Sequence, residues 1–316
     1  MTTFATLCFP IRDGQVLLLR KAEGLWGGGK WNGPGGKLLP GEDPEEGAAR
    51  EVQEETGLVA RALQFAGLLR FYFGEERSPG WVVYVFTCDD FSGTTTAGRE
   101  GTLQWHRVDD LPLDRMWEDD RHWLPRVLLG QRVWAEFRFD ADAETLEGGR
   151  VVELGGQFGV AYRLNTSRGG VPKRPVLEAE VTHEGLRGDL HNDTRHHGGP
   201  ERAVCLFSLE VLRRLRAEGH PARPGGLGEN VTVAGLEWAR VRPGTRLRVG
   251  EVELEVTRYT TPCATIRQNF LDGDISRVHP DRHPGEARVY ARVLRPGLVQ
   301  AGALVELAES RSAPSR

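Results

Sequence analysis

Glu51, Glu54 and Glu55 stand at i, i+3 and i+4. On an α-helix that spacing places all three on one face. Three crowded carboxylates repel each other unless cations neutralise them. Hard oxygen donors gathered this way suit Mg²⁺ or Mn²⁺, ions that also coordinate phosphate oxygens. The surrounding residues predict the helix that would carry them. Asp43 reads as its N-cap, Pro44 as its first residue and Glu46 as the acid that closes a capping box. The helix runs to about Thr56 and is capped by Gly57, with Ala48 and Val52 toward the core. For three glutamates alone, an ordinary solvated acidic face would be explanation enough.

The wider pattern overturns that bland explanation. From Gly36 the chain reads Gly, five residues, Glu42, seven residues, Arg50-Glu51-Val52-Gln53-Glu54-Glu55-Thr56-Gly57-Leu58. At every defined position this resembles the Nudix box, a motif with many fixed positions. The resemblance implies a hydrolase of nucleoside diphosphates linked to another group. It implies that Glu51, Glu54 and Glu55 hold the divalent metal with help from the Gly36 carbonyl. Arg50 would orient the glutamates and Glu42 would support the loop. The metal would neutralise the polyphosphate and activate a water.

The resemblance continues outside the box. WNGPGGK at 31–37, Glu100 and MWEDDRHW at 116–123 are similar to the MutT-homologue hydrolases that remove oxidised purine nucleoside triphosphates. That likeness implies base recognition by Asn32, Trp117, Asp119 and Asp120. The chemistry is coherent, because an indole offers a stacking face. Two adjacent carboxylates in a closed pocket do not both ionise cheaply, so one donates and one accepts along a base edge. Asn32 does both alone. Glu100 matches a loop carboxylate that serves as metal ligand or general base, with Glu54 competing for the second role. The sequence departs from the family at GLWGGGK (24–30), a loop that borders the expected pocket.

In the second half, HHGGPERAV, GENVTVAGL and a Pro-Cys pair at 262–263 occur in that order. Together they resemble a MOSC domain, the molybdenum cofactor sulfurase C-terminal type. By that resemblance Cys263 is the thiolate that ligates molybdenum or carries sulfur, a task suited to a soft donor. His197 and Asn230 would line the pocket, and Arg258 and Arg267 would bind a pterin phosphate. A zinc site at His191, His196 and His197 is weakly supported, since no Cys or carboxylate stands at zinc-ligand spacing.

These residues need scaffolds. The 316 residues carry 39% hydrophobic and 27% charged side chains with 8 Trp and 12 Phe, enough for packed cores and against a disordered or collagen-like chain. Strand signals at 4–11, 15–19, 65–72, 81–87, 103–108 and 133–139 flank the acidic helix, with a second helix over 120–129. Beyond a boundary placed near residue 155, in the small, acidic and glycine-rich stretch 140–160, the signals are mostly short strands, with one helix at 209–218. The two resemblances imply an α+β chain: an N-terminal Nudix α/β/α sandwich (1–154) followed by a C-terminal β-rich MOSC barrel (158–309). The first 154 residues carry 17 basic and 26 acidic side chains, and the remainder 24 and 19. This asymmetry fits cations as partners of the first half and an anionic ligand for the second.

No apolar run reaches membrane-spanning length, no basic stretch argues for a nucleic-acid polymer, and no secretory signal is seen. Four scattered cysteines without a CxxC point to a reducing cytoplasm. The implied activity is Mg²⁺-dependent conversion of a modified purine nucleoside triphosphate, such as 8-oxo-dGTP, to monophosphate and pyrophosphate. The MOSC half would bind molybdenum cofactor and, with a redox partner, reduce N-hydroxylated bases. Two alternatives stand: hydrolysis of another nucleoside diphosphate derivative, or a carrier of molybdenum cofactor or sulfur with a regulatory Nudix half.

Overall fold

The structure, a computed structural model, describes residues 2–96, 100–190 and 198–308. The chain separates into two compact units, Met1–Glu153 and Leu154–Arg316. In the first, β1 (Thr3–Arg12) turns into β2 (Gln15–Lys21) through Asp13 and Gly14, both at positive φ. Two left-handed residues in succession are what a tight hairpin with the native strand twist requires. There follow β3 (Trp31–Asn32), α1 (Pro44–Thr56), β4 (Val59–Arg61), β5 (Gln64–Phe73), β6 (Trp81–Cys88), β7 (Asp90–Ser92) and β8 (Gly101–Arg107). Then come α2 (Asp120–Leu128), β9 (Val133–Phe139) and β10 (Leu146–Glu153).

The main sheet runs β10-β9-β5-β6-β1-β2-β3, with β8 beside β2. It is mixed, since β1 pairs with β6 and β5 with β9 in parallel. The helix α1 lies against β1 and β6. Trp123, Leu124 and Val127 of α2 pack on Ala5, Phe9, Val83 and Val85. The sheet is thus the middle layer of the expected α/β/α arrangement. One element is not expected from the sequence: β10 lies within the glycine-rich stretch 140–160 and pairs antiparallel with β9. Its sequence LEGGRVVE lacks the apolar alternation that marks a strand, and backbone pairing supplies what the side chains do not.

In the second unit, β11 (Phe158–Thr166), β12 (Arg174–Val176), β13 (Glu178–Thr182), β14 (Gly185–Leu186) and β15 (Val204–Ser208) lead into α3 (Leu209–Ala217). The chain continues through β16 (Val231–Ala234), β17 (Arg246–Val249), β18 (Val252–Tyr259), β19 (Val289–Arg295), β20 (Gly297–Gln300) and β21 (Leu304–Ala308). The ring β11-β16-β15-β19-β18-β17-β21 returns to β11 and closes a seven-stranded barrel, as the strand-rich sequence predicts. Ser208 caps α3 by accepting from the Glu210 and Val211 N–H groups, and the helix links the one parallel pair of the ring, β15 and β16. Leu164, Val204, Val231, Val249 and Leu254 line an internal void of about 10 Å³. That holds one water at most, so the barrel interior is filled core and the unit's chemistry must lie outside it.

Candidate active site

The helix α1 is built as a platform. Asp43 Oδ1 accepts from the Glu45 N–H at 3.0 Å, and the Gly57 N–H donates to the Gln53 carbonyl from a left-handed φ of 75°. Ala48 and Val52 are fully buried, which fixes the helix rotation. Side-chain exposure of the glutamates is graded, at 14% for Glu51, 60% for Glu54 and 4% for Glu55. Arg50 organises them. Its Nε and Nη2 donate to the two Glu42 oxygens at 2.9 and 3.0 Å, while Nη1 donates to Glu51 at 2.7 Å and Glu54 at 3.2 Å. This guanidinium fork holds the Glu42 carboxyl below the usual range. Glu42 also accepts from the Leu39 N–H at 2.8 Å, tying down the loop before the helix. A Cβ on Gly36 would sit 2.6 Å from the Glu51 carboxylate, so a side chain here would push that carboxylate aside. The Gly36 carbonyl accepts from the Thr6 N–H at 2.9 Å, using one of its two lone pairs.

Lys21 went unnoticed in the sequence. Its Nζ donates to Glu55 Oε1 at 3.2 Å and to Glu100 Oε2 at 2.8 Å, joining the helix to the β8 side of the unit. Glu55 Oε2 accepts from the Gly35 N–H at 2.7 Å. Burial, then the bond to Glu100, pushes Glu55 up to about 7, whereas Lys21 pulls Glu100 down. One proton thus favours the more buried member of the pair. The only signal in the sequence was rarity, because Lys21 is one of four lysines among 41 basic residues.

Among the described residues no three His, Cys, Asp or Glu side chains converge to enclose an ion. Glu51 and Glu54 are turned onto Arg50, and Glu55 onto Gly35 and Lys21. The donor set nonetheless fits Mg²⁺ or Mn²⁺: hard carboxylate oxygens on one helix face, whose charge is now offset by two side-chain cations.

The residues expected to read a base also come together. Asp119 and Asp120 are each 3% exposed. Trp123 Nε1 donates to Asp119 Oδ2 at 2.9 Å and the Trp117 N–H to Asp120 Oδ2 at 3.0 Å. Burial pushes both carboxyls up, and Asp119 adds to the shift at Asp120. Asn32, in β3, accepts from the Gly33 N–H at 2.8 Å. The sequence reading missed three neighbours. Trp26, 63% exposed, stacks on Trp117 at 4.6 Å and on Trp81 at 5.9 Å. Lys30 Nζ lies 4.8 Å from the Trp117 ring centroid. Trp26 and Lys30 come from GLWGGGK, the stretch where the sequence leaves its family pattern.

In the second unit, Cys263 follows β18 and starts a short 3₁₀ turn, partly exposed, with Sγ 2.8 Å from the Thr265 hydroxyl. His191, His196 and His197 lie outside the described residues. Asn230 is buried and spent on the fold: it donates to Asp189 Oδ2 at 2.7 Å and the Asn165 carbonyl at 3.3 Å, and accepts from the Cys205 N–H at 3.0 Å. Arg258 and Arg267 are both exposed. The buried cations are others, namely Lys173, ion-paired to Asp189, and Arg288. Arg288, Arg202, Cys205 and Cys263 all act electrostatically on Tyr290, whose hydroxyl burial pushes up. Among the described residues, Asn165 Oδ1, Glu229 Oε2, Thr260 Oγ1 and Arg288 Nε are buried without a partner within the protein.

The first unit is thus a mixed sheet between two helices, with an arginine-ordered row of glutamates on one of them. The family model of the NUDIX domain matches residues 1–127, and that of the MOSC domain matches 193–306. An oxidized purine nucleoside triphosphate hydrolase of Danio rerio is 38% identical over 135 residues, 42% of this chain and 85% of that protein. The Mus musculus protein of the same name is 37% identical over 142 residues, 45% and 88% of the two chains. An uncharacterized Bacillus subtilis (strain 168) protein, YflK, is 34% identical over 140 residues, 44% of this chain and 62% of its own. The chain belongs to the Nudix hydrolase family and carries a MOSC domain in its second unit.

Proposed function

We propose that the first unit hydrolyses an oxidised purine nucleoside triphosphate of the 8-oxo-dGTP type to the monophosphate and pyrophosphate. The observation that carries this reading is the buried Asp119–Asp120 pair held beside the Trp117 face, on the same unit as the glutamate helix. The names of the Danio rerio and Mus musculus relatives support it. Glu51, Glu54, Glu55, Glu100 and the Gly36 carbonyl would hold Mg²⁺ or Mn²⁺. When bound, the ion neutralises phosphate charge and lowers the pKa of water. Arg50 keeps the glutamates in register through its fork on Glu42. Glu100, kept ionised by Lys21, is placed to take a proton from water, with Glu54 as the other candidate base. Trp117 stacks on the purine, and Asn32, Asp119 and Asp120 read its edge.

The experiment is substrate preference in Asp119→Asn. Losing the carboxylate removes one donor–acceptor arrangement worth about 1–3 kcal/mol of discrimination by analogy with base-edge pairing. The preference for 8-oxo-dGTP over dGTP should fall about tenfold or more. An unchanged preference supports the rival reading, a hydrolase of dinucleotides or ADP-ribose.

For the second unit the proposal is a molybdenum cofactor site. The soft, partly exposed Cys263 thiol and the buried Arg288, whose Nε has no partner within the protein, fit an anionic group with a soft-metal centre. Cys263 would be the thiolate ligand, and His197, Asn230, Arg258 and Arg267 remain proposed contacts from the sequence. When bound, the cofactor supplies two-electron chemistry for N-hydroxylated bases, with electrons from a redox partner. The alternative, cofactor or sulfur delivery, uses the same thiol. No helix of the described residues is long and apolar enough to cross a membrane, and four free cysteines fit the cytoplasm we assign.

A further inference from the structure

Three tryptophans from separate segments meet beside Lys30, and one of them has no task in the reading above. We infer that Trp26 occupies the Trp117 face on which a purine would stack, so that the site is closed by its own side chain and nucleotide binding expels that indole. This goes beyond the proposed stacking on Trp117 and rests on it.

Distances carry the argument. The Trp26 ring lies on Trp117 with centroids 4.6 Å apart and planes at 28°. It also lies on Trp81, the first residue of β6, with centroids 5.9 Å apart and planes at 3°. Rings in contact are separated by about 3.5 Å, so a base held between two rings needs them about 7 Å apart. The 4.6 Å between Trp26 and Trp117 leaves no such slot. Trp26 is 63% exposed, so the face it covers opens to solvent once it turns away. A base entering there takes its place.

Which ring yields follows from how each is held. Trp117 and Trp81 are partly buried. Lys30 Nζ stands 4.8 Å from the Trp117 centroid and Lys37 Nζ 5.5 Å from the Trp81 centroid, contacts that favour the placed rings. Trp26, mostly exposed, loses little apolar burial by leaving. Its backbone is not free to follow. A Cβ on Gly27 would meet the Trp117 ring at 2.9 Å. The Gly28 N–H donates to the Leu25 carbonyl at 2.8 Å and the Lys30 N–H to the Gly27 carbonyl at 3.0 Å. A turn held this way does not rise by a ring thickness to sandwich a base. Rotation of the Trp26 side chain is the move that remains, and exposed side chains make it within nanoseconds. The device therefore sets affinity and not the rate of chemistry: binding is weakened by the fraction of chains whose ring face is covered.

The test uses the full chain with Trp26→Ala and Trp26→Phe. KM and kcat are measured for 8-oxo-dGTP with Mg²⁺, and the Kd of the monophosphate 8-oxo-dGMP by calorimetry. Inhibition by inorganic triphosphate, which has phosphates and no ring, serves as the control. Trp26→Ala should lower KM and Kd about threefold or more, the scale of one lost aromatic pair, with kcat and triphosphate inhibition little changed and Trp26→Phe in between. A raised KM or Kd would make Trp26 a wall of the base site and overturn the inference. Unchanged values overturn it too, as does a triphosphate affinity that shifts by the same factor. Trp117→Ala keeps the two readings apart: it should raise KM severalfold. If it does not, the base-pocket reading fails and the inference falls with it.

Discussion

The two units handle charge in opposite ways. In the first, the glutamates of α1 stand on a helix face and are balanced by Arg50 and Lys21, side chains that move without unfolding anything. In the second, Lys173 and Asp189 are 7% and 3% exposed and locked together, with Asn230 and the Ser167 N–H also donating to Asp189. The first arrangement can exchange a side-chain cation for a metal. The second is part of the fold, because a buried charge without its partner is far costlier than an exposed one. The helix glutamates can therefore be a reaction centre, whereas the Lys173–Asp189 pair mainly shapes the loops around one.

Lys173→Met probes the contrast most severely. Leaving Asp189 buried without its cation should cost the second unit about 3–5 kcal/mol. A calorimetric scan should show the transition of that unit lowered, with nucleotide hydrolysis intact below it. A loss of hydrolysis at temperatures where both units are folded would break the contrast. Next in size is Glu54→Gln, which removes a charge from the helix face and should lower kcat about 10²- to 10³-fold, the scale for losing a preorganised electrostatic contact. Its unfolding midpoint should hardly move, since Glu54 is largely exposed.

The third prediction concerns pH. With Glu55 pushed up to about 7, a proton competes with the ion below that value. Calorimetric Mg²⁺ affinity should be about tenfold weaker at pH 6 than at pH 8, from the ionised fraction of one such group. Without Mg²⁺ the stability effect runs the other way. A carboxyl whose folded pKa is raised binds more protons folded than unfolded, so its contribution declines as pH rises from about 4.3 through 7. The smallest effect is for Cys263→Ala. This partly exposed thiol meets the Thr265 hydroxyl, so stability should change by no more than about 0.5 kcal/mol. Hydrolysis should be unchanged, while molybdenum retained after cofactor loading, read by elemental analysis, should fall.

The difference between the units also explains what the sequence revealed. A helix encodes a site by spacing, so Glu51, Glu54 and Glu55, the Asp43 and Gly57 caps and the buried Ala48 and Val52 were all readable in one stretch. The closed barrel was readable as a class from its short strands. Its polar cluster was not, because Lys173, Asp189, Cys205 and Arg288 come from distant segments that only barrel closure brings together; of that cluster only Asn230 was marked, by resemblance. Lys21 and Lys30 were missed for the same reason: each acts on residues more than thirty positions away. Trp26 was hidden in a glycine-rich loop whose path cannot be read from local pattern. The strand β10 was hidden because Gly148 and Gly149 carry no side chains to mark a face.

The central claim is that the glutamate helix and the Trp117–Asp119–Asp120 pocket act on one molecule, a modified purine nucleoside triphosphate. It is tested most directly by turnover of 8-oxo-dGTP and dGTP by the wild-type chain with Mg²⁺, with phosphorus products resolved by NMR. The account predicts at least tenfold higher kcat/KM for 8-oxo-dGTP, with pyrophosphate as the released product. Equal turnover of the two, or release of orthophosphate in place of pyrophosphate, would contradict it.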